Sequence, residues 1–132
     1  MIAATLWPMR RGSLIRSFGH AFAGVAALLR TERNARVHAA AFAGVVAFGA
    51  WRGLERWEWA AVLAACFAVP AAEAMNTALE ALADRVTTED DPLIKRAKDL
   101  GAAAVLLTSL GAAAVGVCVF GPRLAALVFE VR

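Results

Sequence analysis

Apolar and polar positions along the chain fall into blocks of different kinds. Between residues 10 and 36 charge is mixed with apolar side chains, and Leu14, Phe18, Phe22, Val25 and Leu29 recur at three- and four-residue steps. That recurrence draws one apolar stripe along a helix. Arg10, Arg11, Arg16 and Arg30 take other positions, so the pattern predicts an amphipathic helix over residues 10–34, lying in a membrane interface.

Three apolar blocks follow. The first, VHAAAFAGVVAFGAW, is short, which gives a spanning helix over 35–51 with Arg36 and His38 within or near the interface. Arg52, Gly53, Glu55 and Arg56 then make a polar turn bracketed by Trp51, Trp57 and Trp59. Tryptophan prefers the membrane–water boundary, so this turn marks the far side. The second span covers 57–84, long enough to tilt or protrude, with Pro70 inside it as a potential kink. A polar stretch, RVTTEDDPLIKRAK, fills 85–98. The third span runs from Asp99 to 121, ending before Pro122, and a short, weakly amphipathic tail follows. The expected fold is therefore all-α and integral to a membrane: a surface helix plus three transmembrane helices, forming a single domain over 1–132.

Composition supports this. Hydrophobic residues make up 61% of the chain and mean hydropathy is +0.61, against roughly 45–50% apolar residues in a soluble domain. The formal net charge of +3 comes from residues flanking apolar blocks, not from a basic tract interleaved with aromatics, so a nucleic-acid partner is excluded. Arg10, Arg11, Arg16, Arg30, Arg33 and Arg36 precede the first span, and Arg85, Lys95, Arg96 and Lys98 lie in the polar stretch. The other side has only Arg52, Arg56, Arg123 and Arg132. The positive-inside rule then places the amino terminus and the 85–98 loop in the cytoplasm of a multi-pass protein. Residues 2–9 do not read as a signal peptide, because Arg10 and Arg11 follow the apolar stretch and Pro8 interrupts it. Cys66 and Cys118 sit in apolar blocks as small hydrophobes. Ala and Gly are abundant in all three spans and let helices approach closely. Three thin helices bury little alone, so a homo-oligomer is expected.

The candidate chemistry lies in the second span. Glu73, Asn76, Glu80 and Asp84 are offset by three, seven and eleven residues, which at about 100° per residue places them on one narrow helical face. An acid near the centre of a span costs roughly 2.5–3.5 kcal/mol on insertion scales, so such residues mark function by default. Asn76 and Thr77 alone would suffice as polar glue between helices, and glue rarely needs three acids. Glu32, before the first span, and Glu80 are candidate Mg²⁺ ligands if they meet at the cytoplasmic boundary, because Mg²⁺ takes one or two carboxylates plus substrate phosphates. Lys98 would neutralise phosphate oxygens. Glu73, deeper in the bilayer, is placed to orient or deprotonate a lipid hydroxyl. No GxxxxGK[ST] or GxGxxG loop is present. Spacing alone thus gives an acidic, metal-capable site at the cytoplasmic boundary. A small ion or proton carrier would use acids on more than one span across the full bilayer depth, whereas the central parts of the first and third blocks have none.

The segments TERNARVH, EAMNTALEALADR and DPLIKRAKDLGAAAVLL together resemble the prokaryotic diacylglycerol kinase family over residues 13–120. The TERNARVH segment is more similar to its undecaprenol kinase branch. The resemblance implies a homotrimer in a bacterial inner membrane. It implies transfer of the ATP γ-phosphate to a lipid alcohol, with undecaprenol favoured over diacylglycerol. It also implies that Glu73 is the catalytic acid/base, supported by Asn76. Glu32 and Glu80 would hold the nucleotide-bound Mg²⁺, and Lys98, Asp99 and Glu89 would contact the nucleotide. His20 stands where an aromatic is common and is assigned to the nucleotide by stacking on adenine. Asp91 replaces a usual histidine and Ala35 an aromatic, and Pro70 just before Glu73 is unusual.

Overall fold

The computed structural model describes residues 14–87 and 89–130, and these form four α-helices: α1 (Leu14–Thr31), α2 (Arg33–Arg52), α3 (Arg56–Val86) and α4 (Pro92–Glu130). The expected start of the surface helix, with Arg10 and Arg11, lies outside the described residues. Among the described helices, α3 and α4 are both long and apolar enough to cross a membrane. At 1.5 Å per residue they run about 46 Å and about 58 Å, well past a hydrocarbon core of roughly 30 Å. Their ends must therefore tilt or emerge.

The helix α1 carries the expected stripe and buries none of it: Leu14, Phe18 and Phe22 are exposed. An apolar stripe left exposed along its first turns suits a helix lying on a bilayer. Glu32 has extended backbone (φ −96°, ψ 121°) and separates α1 from α2. Arg36 secures that junction, its Nη1 donating to the carbonyls of Leu29 at 3.3 Å and Arg30 at 3.2 Å. These are carbonyls the end of a helix leaves without partners.

Gly53 ends α2 in the left-handed region (φ 68°, ψ 65°), where a residue without a Cβ pays no steric penalty. Its N–H and that of Leu54 both donate to the Gly49 carbonyl, which folds buried Leu54 back on the helix. A Cβ at Gly49 would lie 2.8 Å from Leu54 Cδ1. Glu55 then caps α3 through a reciprocal capping box with Glu58, the Glu55 N–H donating to Glu58 Oε2 at 2.8 Å. Trp51 and Trp57 at this turn are exposed, as boundary residues should be.

Two boundaries differ from expectation. The polar stretch 85–98 is mostly helical: Arg85 and Val86 finish α3, Pro92 to Lys98 open α4, and only 87–91 connect them. The cause is Asp91, whose Oδ1 accepts from the N–H groups of Leu93 at 2.7 Å and Ile94 at 3.1 Å. Pro92 follows in the first turn, where its missing N–H costs nothing. The third apolar helix also fails to stop before Pro122 and continues to Glu130, so there is no separate tail. In apolar surroundings, unwinding a helix strands more backbone groups than one proline does. The same reasoning accounts for Pro70 inside continuous α3.

The buried core is thin. Leu54, Val62 and Val119 form its centre, with Val45, Trp59 and Phe120 against them. The main packing is α3 on α4, and Phe48 meets Phe120 edge-on at 5.4 Å to tie in α2. Large apolar side chains along α4, including Leu100, Leu106, Leu107, Leu110 and Val117, stay exposed. A surface of that kind calls for lipid or another apolar surface to cover it.

Candidate active site

The acids of α3 each meet a different neighbour. Glu73 is buried, 8% exposed, and its Oε1 lies 3.6 Å from Nε2 of His38 on α2. One turn on, Asn76 Nδ2 donates to Glu80 Oε1 at 2.9 Å. The other end of that amide, Oδ1, is buried without a partner and presses on Gly101 of α4, where a Cβ would collide with it. Asp84 accepts from Lys98 Nζ at 2.7 Å, a bond from α4 to α3. By helical rise, Glu73 sits about 16 Å deeper along α3 than Asp84. The stripe thus starts at an exposed, paired end and finishes at a buried carboxylate.

Lys98 also lies within electrostatic reach of Glu80. With Asp84, Glu89, Asp91 and Lys95 it lines an open groove of about 690 Å³ at the α3–α4 connection. Glu32 occupies the cap position of α2 but makes no capping bond with its side chain, so its carboxylate is not spent on the helix. Asp99 accepts from Lys95 Nζ at 2.7 Å on the exposed side of α4. His20 is exposed on α1. The structure therefore brings Asn76 to Glu80, and brings Glu89 and Lys98 into one groove with Asp84. Asp99 and His20 do not line that groove, and among the described residues no three metal-type side chains cluster.

Two apolar cavities share a wall that includes His38, the neighbour of Glu73. One, of about 160 Å³, lies between α2, α3 and α4, and the other, of about 610 Å³, lies under α1 against α2 and α3. His38, Phe42, Cys66 and Pro70 line both. Ala35, expected to be aromatic, is buried and lines the larger cavity, where its small side chain leaves room.

Comparison with known sequences decides the family of the chain. The sequence pattern described as prokaryotic diacylglycerol kinase matches residues 19–120. The chain belongs to the prokaryotic diacylglycerol kinase family. It is 36% identical over 109 residues to the undecaprenol kinase of Bacillus subtilis, covering 83% of this chain and 89% of that one. It is 35% identical over 116 residues to a diacylglycerol kinase of Synechocystis sp., covering 87% of this chain and 66% of the longer relative. To the diacylglycerol kinase of Escherichia coli K12 it is 30% identical over 94 residues, covering 71% of this chain and 77% of the relative. A lipid kinase of this family takes its phosphoryl group from ATP, and the long apolar helices α3 and α4 fit a membrane-associated member.

Sequence reasoning had passed over three partners. His38 stood in the TERNARVH segment without a role, Asp84 was read as the last acid of the stripe with no partner named, and Arg123 read as a flank. Each pairs with a residue on another helix, so no local spacing announced it.

Proposed function

We propose that this family member phosphorylates undecaprenol, with Glu73 as general base and the groove around Lys98 holding the nucleotide. One observation carries the reading: a carboxylate, Glu73, is buried in a helix apolar enough to cross a membrane, against His38, which lines two apolar cavities. Such a carboxylate is costly to keep, and a role in chemistry on a membrane-borne substrate accounts for its retention.

In the reaction, the lipid hydroxyl oxygen bonds to the γ-phosphorus while its proton passes to Glu73. The bond from that phosphorus to the β–γ bridging oxygen breaks, and ADP leaves with the electron pair. Glu73 later returns the proton to solvent. Asn76 holds Glu80, and Lys98 offers its ammonium to the phosphate oxygens. Glu89, in the groove, would accept from the hydroxyl or amine donors of the nucleotide, and Asp99 and His20 would reach it from outside the groove, His20 by stacking on adenine. Glu80, held by Asn76, and Glu32, free of capping duty, would hold a Mg²⁺ ion that arrives on the nucleotide, since such an ion needs only one or two carboxylates. When bound, Mg²⁺ neutralises charge building on the transferred group.

The proposed setting is a bacterial inner membrane, with α2, α3 and α4 crossing it and the amino terminus and residues 87–91 in the cytoplasm. The exposed apolar face of α4 supports assembly as a homotrimer. Undecaprenol is favoured as acceptor by the TERNARVH segment and by the fuller coverage of the Bacillus relative, 89% against 66% for the Synechocystis one. Diacylglycerol is the second reading, favoured by the names of the remaining relatives. The test is phosphate transfer from labelled ATP in detergent micelles, with each lipid offered separately. Mg²⁺-dependent labelling of undecaprenol in preference to diacylglycerol is expected. The reverse preference would overturn the acceptor, and labelling of neither by folded protein would overturn the site.

A further inference from the structure

We propose that His38 is a positioning residue for Glu73, holding the base in the rotamer that meets the acceptor hydroxyl. This rests on the reading of Glu73 as base. Among the described residues, His38 is the one ionisable side chain from another helix within reach of the Glu73 carboxylate, and that carboxylate accepts no hydrogen bond. The separation of 3.6 Å between Nε2 and Oε1 exceeds a direct N–H···O bond. It still lets the imidazole orient the carboxylate electrostatically.

The cavities single out the same residue. Leaving aside the weakly polar thiol of Cys66, His38 is the one polar side chain among the described residues that line either the 160 Å³ or the 610 Å³ cavity. A lipid chain lying in apolar space of that kind has its hydroxyl steered by whatever polar group the walls supply. Here that group arrives from α2 on the ring already facing the base. Pro70, three residues before Glu73 on α3, shares both walls, although Glu73 itself lines neither cavity and reaches them through His38. The plainer alternative is that the pair only packs α2 against α3. A packing role and a positioning role predict different kinetics.

The experiment compares His38→Ala, His38→Gln, Glu73→Gln and Glu73→Asp with the same His38 changes made in Glu73→Asp. Each is purified in detergent and assayed with saturating lipid acceptor, with thermal midpoints recorded. Positioning predicts that His38→Ala lowers kcat by roughly a hundredfold, the scale of a misplaced reacting group, with the KM for ATP unchanged. His38→Gln, which keeps a donor near Nε2, should restore much of the loss. In Glu73→Asp, whose carboxylate is already withdrawn, His38→Ala should cost far less, because residues that act as a unit are not additive. An unchanged kcat in folded His38→Ala would overturn the proposal. So would a loss of the same size in the Glu73→Asp background, or a loss that tracks the thermal midpoint and is not restored by Gln. If Glu73→Gln itself turns over normally, the assignment of the base fails first, and that outcome is separate from a failure confined to His38.

Discussion

Arg123 on α4 grips Glu58 on α3 with two nitrogens, Nη1 to Oε1 at 2.8 Å and Nη2 to Oε2 at 2.6 Å. Arg123 Nη1 also donates to its own Val119 carbonyl at 2.7 Å, and Glu58 caps α3 through the Glu55 N–H. One carboxylate thus closes a helix start and joins two helices at the end remote from Asp84 and Lys98. Removing either partner strands the other in a half-buried place, which is costlier than deleting both. Glu58→Ala and Arg123→Ala should each lower the thermal midpoint in detergent by several degrees, and the double variant should lose less than the sum. Because Glu58 lies fifteen residues from Glu73 along α3, roughly 22 Å by helical rise, the kcat of protein that remains folded should be unaffected. Midpoints equal to the parent, measured by scanning calorimetry, would show that the pair contributes nothing.

Gly101 presents a contest of two effects. Gly→Ala inside a helix gains about 1 kcal/mol of propensity, but the new Cβ would collide with Asn76 Oδ1. The obstacle is the tip of a flexible side chain, so Asn76 can swing aside, and what it gives up is its bond to Glu80. A hydrogen bond to a charged group is worth roughly 1.5–3 kcal/mol. Gly101→Ala should therefore lower the thermal midpoint by a few degrees, since the lost bond outweighs the propensity gained, while raising the KM for Mg²⁺-ATP by roughly tenfold. Steady-state kinetics with ATP varied would reveal it, and an unaltered KM would mean that Asn76 does not prepare Glu80 for the nucleotide.

The sequence made some of this legible and hid the rest for physical reasons. The acids of α3 were readable because a helix repeats every 3.6 residues, and an acid inside an apolar block is conspicuous on its own. The stripe of α1 and the tryptophans at the turn were readable in the same way. The partners His38 and Lys98 were not assigned to Glu73 and Asp84, because those contacts depend on how α2 and α4 lie against α3. Glu58 and Arg123 are 65 residues apart, and each taken alone reads as an ordinary flanking charge. Pro122 was taken as a stop because in water it commonly is one, whereas an apolar setting keeps the helix going. The start of α4 did leave a local sign, the Asp91–Pro92 pair of cap and first-turn proline, which the surrounding run of charge obscured.

Asp91 is where the family resemblance and the local physics pull apart. A histidine was expected at this position, yet the aspartate has a complete structural role, accepting from Leu93 and Ile94 at the first turn of α4. Loss of such a cap costs about 1 kcal/mol, and it would loosen the turn that leads to Lys98, seven residues on. Asp91→Ala should lower the thermal midpoint by a few degrees and raise the KM for ATP modestly through disorder of that turn. Asp91→Asn keeps an acceptor oxygen and should match the parent in both. Thermal melts and ATP kinetics on the two variants separate capping from nucleotide contact. If Asp91→Asn shifts the KM for ATP while the melt stays fixed, the charge of Asp91 acts on the nucleotide directly, and its position in the groove with Glu89 and Lys98 has more than a structural meaning.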